Sequence, residues 1–324
     1  MMQALETKIF NISNSIQFED VALQVYQYQS LNCYVYRDFI KFLNKPKPTC
    51  IAEIPFLPIS FFKDLTVVSN GFPIQFEFLS SGTTSSIRSK HAVQKPYMYE
   101  KSFLQIYNEF IGSPSEQVIL ALLPNYIEQG NSSLVYMVER LVKESNHPLS
   151  GFFLDDYDEL VHNYRKAISL NKEVVIFGVS YALLDLAEKK IDFSKARIIE
   201  TGGMKGRRKE LSKEELHQEL KNGFGCDYIS SEYGMTELFS QSYSDKDGLF
   251  KMPKWMNVLI RETNDPFNYL VSGKTGGINV IDLANLYSCS FIATQDLGKI
   301  TDGQLQLMGR FDNADIRGCN LMME

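Results

Sequence analysis

No stretch of this sequence approaches the roughly 20 consecutive apolar residues that a membrane-spanning helix requires, so no span is expected. The opening residues, MMQALETKIF, lack a basic segment followed by a long apolar one, and no signal peptide is expected either. Positive charge is not in excess: 33 Lys and Arg stand against 39 Asp and Glu, a formal net charge of −6. That balance argues against nucleic acid or an anionic membrane surface as a general partner. The five cysteines are scattered, odd in number and without a CxxC pair, and neither they nor the four histidines fall at zinc-ligand spacing. Reduced thiols in the cytoplasm are therefore expected, rather than a disulfide framework or a zinc site. Two nucleotide signatures are missing as well. GxxxxGK[ST] occurs nowhere, and the GFG at Gly223–Gly225 follows a helical pattern and lacks the third glycine of a dinucleotide fingerprint. Internal repeats, low-complexity segments and long linkers are also lacking.

What is present describes an ordinary soluble globular chain, 44% hydrophobic and 22% charged. Its 324 residues suggest two domains, or one large α/β domain with an appendage. From Ser15 to Leu43, Phe18, Val21, Ala22, Val25, Phe39 and Phe42 recur at helical spacing, and Lys45–Pro48 ends the helix. Pro55 and Pro58 enforce an extended segment. Ile74, Phe76 and Phe78 alternate with polar residues as a strand does, and Tyr99, Phe103, Ile106, Tyr107 and Phe110 form an amphipathic helix.

A strand–helix alternation follows. Val118–Leu123, Val174–Gly178 and Arg197–Glu200 read as strands. Between them lie the helix LVYMVERLVKE, capped by Ser132 or Ser133, and a helix reaching about Lys190. Ser212 and Glu215 form a capping box for a further helix that stops at Gly223, and Cys226–Ile229 (CDYI) reads as the next buried strand. This alternation implies an α/β fold with a mostly parallel sheet whose ligand loops sit at the carboxyl ends of its strands. Beyond Trp255 short strands take over, with a hairpin at Asp302-Gly303. The expected organisation is a helical segment over 1–48, an α/β core over 49–254 and a smaller β-rich portion over 255–324.

Three loops rich in Gly, Ser and Thr come just after strands: SSGTTSS (Ser80–Ser86), TGGMKG (Thr201–Gly206), and the Ser230–Glu237 stretch SSEYGMTE with its two acids, Glu232 and Glu237. Small residues let the backbone approach an anion, and their N–H and O–H groups donate to phosphate oxygens. Arg88 and Lys90 add positive charge after the first loop.

The ordered series SSGTTS, EYGMTE, TQDLG and GRFDNADIRG resembles the acyl-adenylate-forming superfamily of acyl- and aryl-CoA ligases and firefly-type luciferases. More narrowly, SSLVYM, ETGGMKGRR, SSEYGMTELFSQSYS and RGCNL resemble the acyl-protein synthetase, or LuxE, family, over about residue 50 to the C-terminus. The resemblance implies ATP-dependent activation of a carboxylic acid, of the fatty acid class, as an acyl-adenylate and transfer to an enzyme cysteine as a thioester. Delivery would follow to a protein partner such as an acyl reductase, or to CoA or an acyl carrier protein. It implies that Ser80, Ser81, Gly82, Thr83, Thr84 and Ser85 hold the ATP phosphates and that Gly202 and Gly203 lie against the adenine. Tyr233, with Gly234, would stack near the base, Thr236 would contact the phosphate, and Glu237 would hold Mg²⁺. Asp296 would bind the ribose hydroxyls with Arg310 beside it. Cys319 in RGCNL matches the family's cysteine nucleophile, with Arg310 and Arg317 nearby to favour its thiolate.

Departures from the superfamily pattern are Ser85 in place of a glycine and no adjacent Pro-Lys. GRFD ends at Asp312 and the sequence at Glu324, so the expectation is that the superfamily's mobile C-terminal lid domain, with its lysine, is absent. Adenylation would then draw on Lys205, Arg88 or Arg310. Other readings of the residues are an acyl- or aryl-CoA ligase, a non-catalytic docking subunit, and a serine thioesterase. The last rests on GVSYA (Gly178–Ala182), nearly a nucleophile elbow, with Asp192 and His217 downstream of Ser180.

Overall fold

The computed structural model describes residues 2–80, 88–124, 131–154, 156–203, 208, 211–246 and 248–311. The chain divides into two compact units, Met1–Gly71 with Lys254–Glu324, and Phe72–Pro253. The first unit is therefore discontinuous in sequence, unlike the continuous spans expected for the domains.

The first unit begins with three helices, α1 (Met2–Phe10), α2 (Ser15–Asn32) and α3 (Tyr34–Leu43). Asn14 caps α2 by accepting from the Gln17 N–H. The single helix expected over Ser15–Leu43 is two, because Cys33 is extended (φ −93°, ψ 100°) and forms an isolated bridge with Ser69. A two-residue strand, β1 (Leu57–Pro58), and one helical turn, α4 (Phe61–Asp64), follow.

The second unit opens with an antiparallel hairpin of β2 (Phe76–Leu79) and β3 (Lys90–Val93). After α5 (Pro96–Phe110) the expected alternation runs through β4 (Gln117–Leu122), α6 (Ser133–Ser145), β5 (Gly151–Phe152), α7 (Tyr157–Ser169), β6 (Glu173–Val179), α8 (Ser180–Ala187), β7 (Ala196–Thr201), α9 (Lys213–Phe224) and β8 (Ser230–Tyr233). Two short strands, β9 (Ser242–Ser244) and β10 (Leu249–Phe250), close the unit. The sheet order is β5-β4-β6-β7-β8-β9, parallel throughout except for β9 against β8. After their first residues, Gln117 and Glu173, strands β4 and β6 are buried apolar runs, as strands covered on both faces must be.

Two local readings are corrected here. The strand expected at Cys226–Ile229 lies instead at Ser230–Tyr233, all four residues of which are buried. Nor does α9 stop at Gly223. It runs to Phe224, with Gly225 in the left-handed region (φ 66°) as its cap. Gly223 has a packing role, since a Cβ there would lie 2.5 Å from the Ala187 Cβ of α8.

The chain then completes the first unit with β11 (Met256–Arg261), β12 (Gly276–Asp282), β13 (Phe291–Thr301) and β14 (Gln304–Arg310), successive antiparallel neighbours, with β1 parallel to β13. The β13–β14 turn is Asp302-Gly303, both at positive φ (50° and 76°), the geometry that a two-residue hairpin turn demands. Phe291 of β13 packs against Tyr26, Tyr36 and Phe56. The fully buried Gln29 of α2 donates to the Asn285 and Leu286 carbonyls and accepts from the Ser290 N–H. These contacts fasten the N-terminal helices to strands more than two hundred residues later.

Candidate active site

The site is assembled at the carboxyl ends of the parallel strands in the second unit, where backbone leaving each strand turns and side chains converge. Strand β7 ends in Glu200-Thr201 and passes into Gly202-Gly203. Gly202 has φ 71°, a conformation that disfavours any side chain, and a Cβ at Gly203 would meet nothing within 4 Å among the described residues. Strand β8 ends at Tyr233 and passes into Gly234, Met235, Thr236 and Glu237. Glu237 is 6% exposed and Tyr233 8%.

Neighbouring strand ends are tied to one another. The Thr201 hydroxyl donates to the Glu232 carboxylate across β7 and β8. Ser180, the first residue of α8, donates to the Glu200 carboxylate (3.1 Å) and reaches the Thr201 and Gly202 carbonyls at 3.3 Å. A Cβ at Gly234 would lie 2.4 Å from Glu232 Oε1, so the glycine leaves room for that carboxylate.

Glu200 is fully buried and collects donors on Oε1 from Lys213 and Ser231, with His217 Nε2 at 3.4 Å. Lys213 and His217 are four residues apart on α9 and so share a face. Burial works to raise the Glu200 pKa, but the Lys213 charge and the bonds from His217, Lys213 and Ser231 outweigh it and hold the carboxyl at about 2. Glu232 behaves in the opposite way. Burial, joined by repulsion from Glu200, outweighs the Thr201 bond and the more distant Lys213 charge and raises it to about 7.

At the base of the first Ser/Gly/Thr loop, Ser80 is paired with Ser89. The Ser80 N–H donates to the Ser89 carbonyl (3.0 Å), and the Ser89 N–H donates to the Ser80 hydroxyl (2.9 Å). Ser81, Gly82, Thr83, Thr84 and Ser85 lie outside the described residues, as do Lys205, Arg317 and Cys319. In the first unit, Asp296 of β13 and Arg310 of β14 are cross-strand partners, and Arg310 Nε donates to Asp296 Oδ1 at 2.9 Å. The thioesterase constellation is not formed. Ser180 bonds to Glu200, His217 contacts Glu200 and Ser231, and Asp192 accepts from the Ser194 N–H.

Glu200 and Lys213 join this assembly without having been singled out in the sequence. A signal is available for both: Glu200 immediately precedes the TGG loop, and Lys213 follows the capping serine of α9. No cluster of three or more His, Cys, Asp or Glu suited to a metal occurs among the described residues. Mg²⁺ carried by a nucleotide needs only one or two carboxylates plus phosphate oxygens, and the oxygen donors of Thr236 and Glu237 are of that hard type. No helix among the described residues is long and apolar enough to cross a membrane.

The family model described as acyl-protein synthetase, LuxE, matches residues 11–324. Among curated proteins, none matches. Solved structures share the fold. ATP-bound MatB from Rhodopseudomonas palustris has a TM-score of 0.53 at 18% identity, covering 75% of this chain and 49% of that one. An open conformation of 2-hydroxyisobutyryl-CoA ligase in complex with 2-HIB-AMP and CoA has a TM-score of 0.66 at 12% identity, covering 92% of this chain and 71% of that one. The chain thus spans about half the length of the MatB structure it matches.

Proposed function

The chain belongs to the acyl-protein synthetase (LuxE) family, and from that premise we propose that it activates a carboxylic acid, of the fatty acid class, with ATP and carries the acyl group on Cys319. The observation that carries this reading is the convergence of the Thr201–Gly203 and Tyr233–Glu237 segments at adjoining strand ends, tied by the Thr201–Glu232 bond. Open backbone at Gly203 supports a role beside the base. Thr236 and Glu237 would hold phosphate and Mg²⁺, and Ser80–Ser85 the remaining phosphates. Asp296, bonded to Arg310, suits a ribose diol as a carboxylate acceptor. Bound Mg²⁺ would neutralise charge on the triphosphate.

In the first step a substrate carboxylate oxygen attacks the α-phosphorus, and pyrophosphate leaves with the electron pair of the broken P–O bond. Electrostatic stabilisation matters more there than acid–base help, and Lys205 is the proposed cation. In the second step the Cys319 thiolate attacks the acyl carbon, a C–S bond forms and AMP departs. The thioester then passes to a protein partner, for which an acyl reductase is the family's implied acceptor. Two other cysteines are ill suited to the nucleophile's role: burial raises the Cys33 thiol to about 11, and burial also pushes the Cys289 thiol far above its ordinary range.

The test is incubation with MgATP and a labelled fatty acid. Label should stay on the protein, be released by neutral hydroxylamine, and be lost in Cys319→Ser while pyrophosphate exchange continues. Hydroxylamine-labile label on Cys319→Ser would move the acceptor elsewhere. Glu237→Gln should lose Mg²⁺-dependent exchange, and unchanged exchange would sink its assignment.

A further inference from the structure

His91 stands on β3, directly opposite Phe78 of β2, and is 0% exposed. Its Nδ1 lies 2.9 Å from the carbonyl oxygen of Thr236, and its ring stacks on Phe239 with centroids 4.6 Å apart and planes 25° apart. One imidazole thus holds the segment after β8 at two points three residues apart. The carbonyl accepts, so Nδ1 carries the hydrogen; burial lowers the His91 pKa to about 4, consistent with a neutral ring. Between the two points the chain makes a turn, with the Leu238 N–H donating to the Met235 carbonyl at 3.1 Å. The same hairpin continues from His91 through Ser89, which is doubly bonded to Ser80.

We propose that His91 is a positioning residue for the nucleotide site. Its Nδ1–H fixes the Thr236 peptide, and so the direction in which Thr236 and Glu237 project, and it registers that turn against the hairpin from which the SSGTTSS loop departs. This rests on the nucleotide reading above. A peptide plane held by its carbonyl cannot rotate without breaking the bond, so the hydroxyl and carboxylate on either side are pre-set before ligand arrives. The β2–β3 hairpin and the turn after β8 then move as one body.

Two substitutions separate the bond from the stack. His91→Phe keeps a ring against Phe239 and removes the donor. His91→Asn places an amide N–H near the former Nδ1 and removes the ring. In the full-length apo protein, hydrogen exchange of the peptide spanning 234–239 should quicken in His91→Phe and stay close to wild type in His91→Asn. MgATP affinity should fall about tenfold in His91→Phe, the factor that one lost buried hydrogen bond of ~1.4 kcal/mol represents, and largely return in His91→Asn. If His91→Phe does not fold, His91→Asn decides, because slow exchange there requires the bond to suffice without the ring. Wild-type exchange and affinity in His91→Phe, or fast exchange in a folded His91→Asn, would overturn the proposal. A wild-type protein that binds no MgATP would instead overturn the nucleotide reading, while the apo exchange comparison would still decide whether His91 clamps the turn.

Discussion

The two buried glutamates at the ends of β7 and β8 are held by opposite means. Glu200 is surrounded by donors and a cation from α9, while Glu232 has, among the described residues, a single hydroxyl donor, from Thr201. Both are nearly free of solvent contact, at 0% and 7% exposed, so burial alone does not decide their charge. The number and charge of the donors does. Glu200 is a fixed anion at neutral pH, and Glu232 stands near the midpoint of its titration. One side of this strand end is therefore electrostatically settled, and the other responds to pH.

The contrast is broken most severely by removing the cation. Lys213→Met should destabilise the fold by about 3 kcal/mol at pH 7, the low end for a broken buried pair because the Lys213 side chain is 35% exposed. Urea unfolding should show that loss shrinking in acid, where Glu200 without its partner takes up a proton. Next in size is Gly234→Ala. Its Cβ would lie 2.4 Å from Glu232 Oε1, and displacing the carboxylate should cost about 2 kcal/mol by the same measurement.

The smallest effect sharpens the contrast. Glu232→Gln keeps an acceptor for Thr201 and should change stability at pH 5 by less than about 1 kcal/mol. The informative part is its pH dependence. A carboxyl raised from its ordinary value of 4.5 to about 7 stabilises the fold fully below 4.5 and loses that contribution as pH rises through 7. Glu232→Gln should abolish this decline between pH 5 and 8. The depressed Glu200 contributes above 4.5, and its contribution fades only as pH falls toward 2. It should therefore leave stability flat across the same window.

The alternation of strands and helices was legible because β4 and β6 are almost wholly apolar, β7 carries the Ile198-Ile199 pair, and Ser132 and Ser212 cap α6 and α9. Strand β8 reads as a loop in the sequence because Ser-Ser-Glu-Tyr has the composition of one. Its Ser231 and Glu232 side chains are tolerable inside because Glu200 receives Ser231 and Thr201 serves Glu232, pairings supplied by distant segments. His91 was overlooked for a related reason: a lone histidine in an alternating strand says nothing about the carbonyl 145 residues away that it meets. The Cys33 break in the first long helix was hidden because the apolar periodicity continues across it. The Asp302-Gly303 turn was readable from two adjacent residues because its positive φ angles are a local demand.

The discontinuous first unit has a consequence for synthesis. Its helices α1 to α3 leave the ribosome before the inserted unit, yet Phe291 and the Asn285–Ser290 segment that they pack against are translated after the whole of Phe72–Pro253. With domains generally folding as units in the order they emerge, the inserted unit is complete while those helices still present their apolar faces to water. The nascent chain therefore has an interval, as long as the translation of that insert, in which α1 to α3 are the least protected. A chaperone acting on this protein would find its binding sites on those helices.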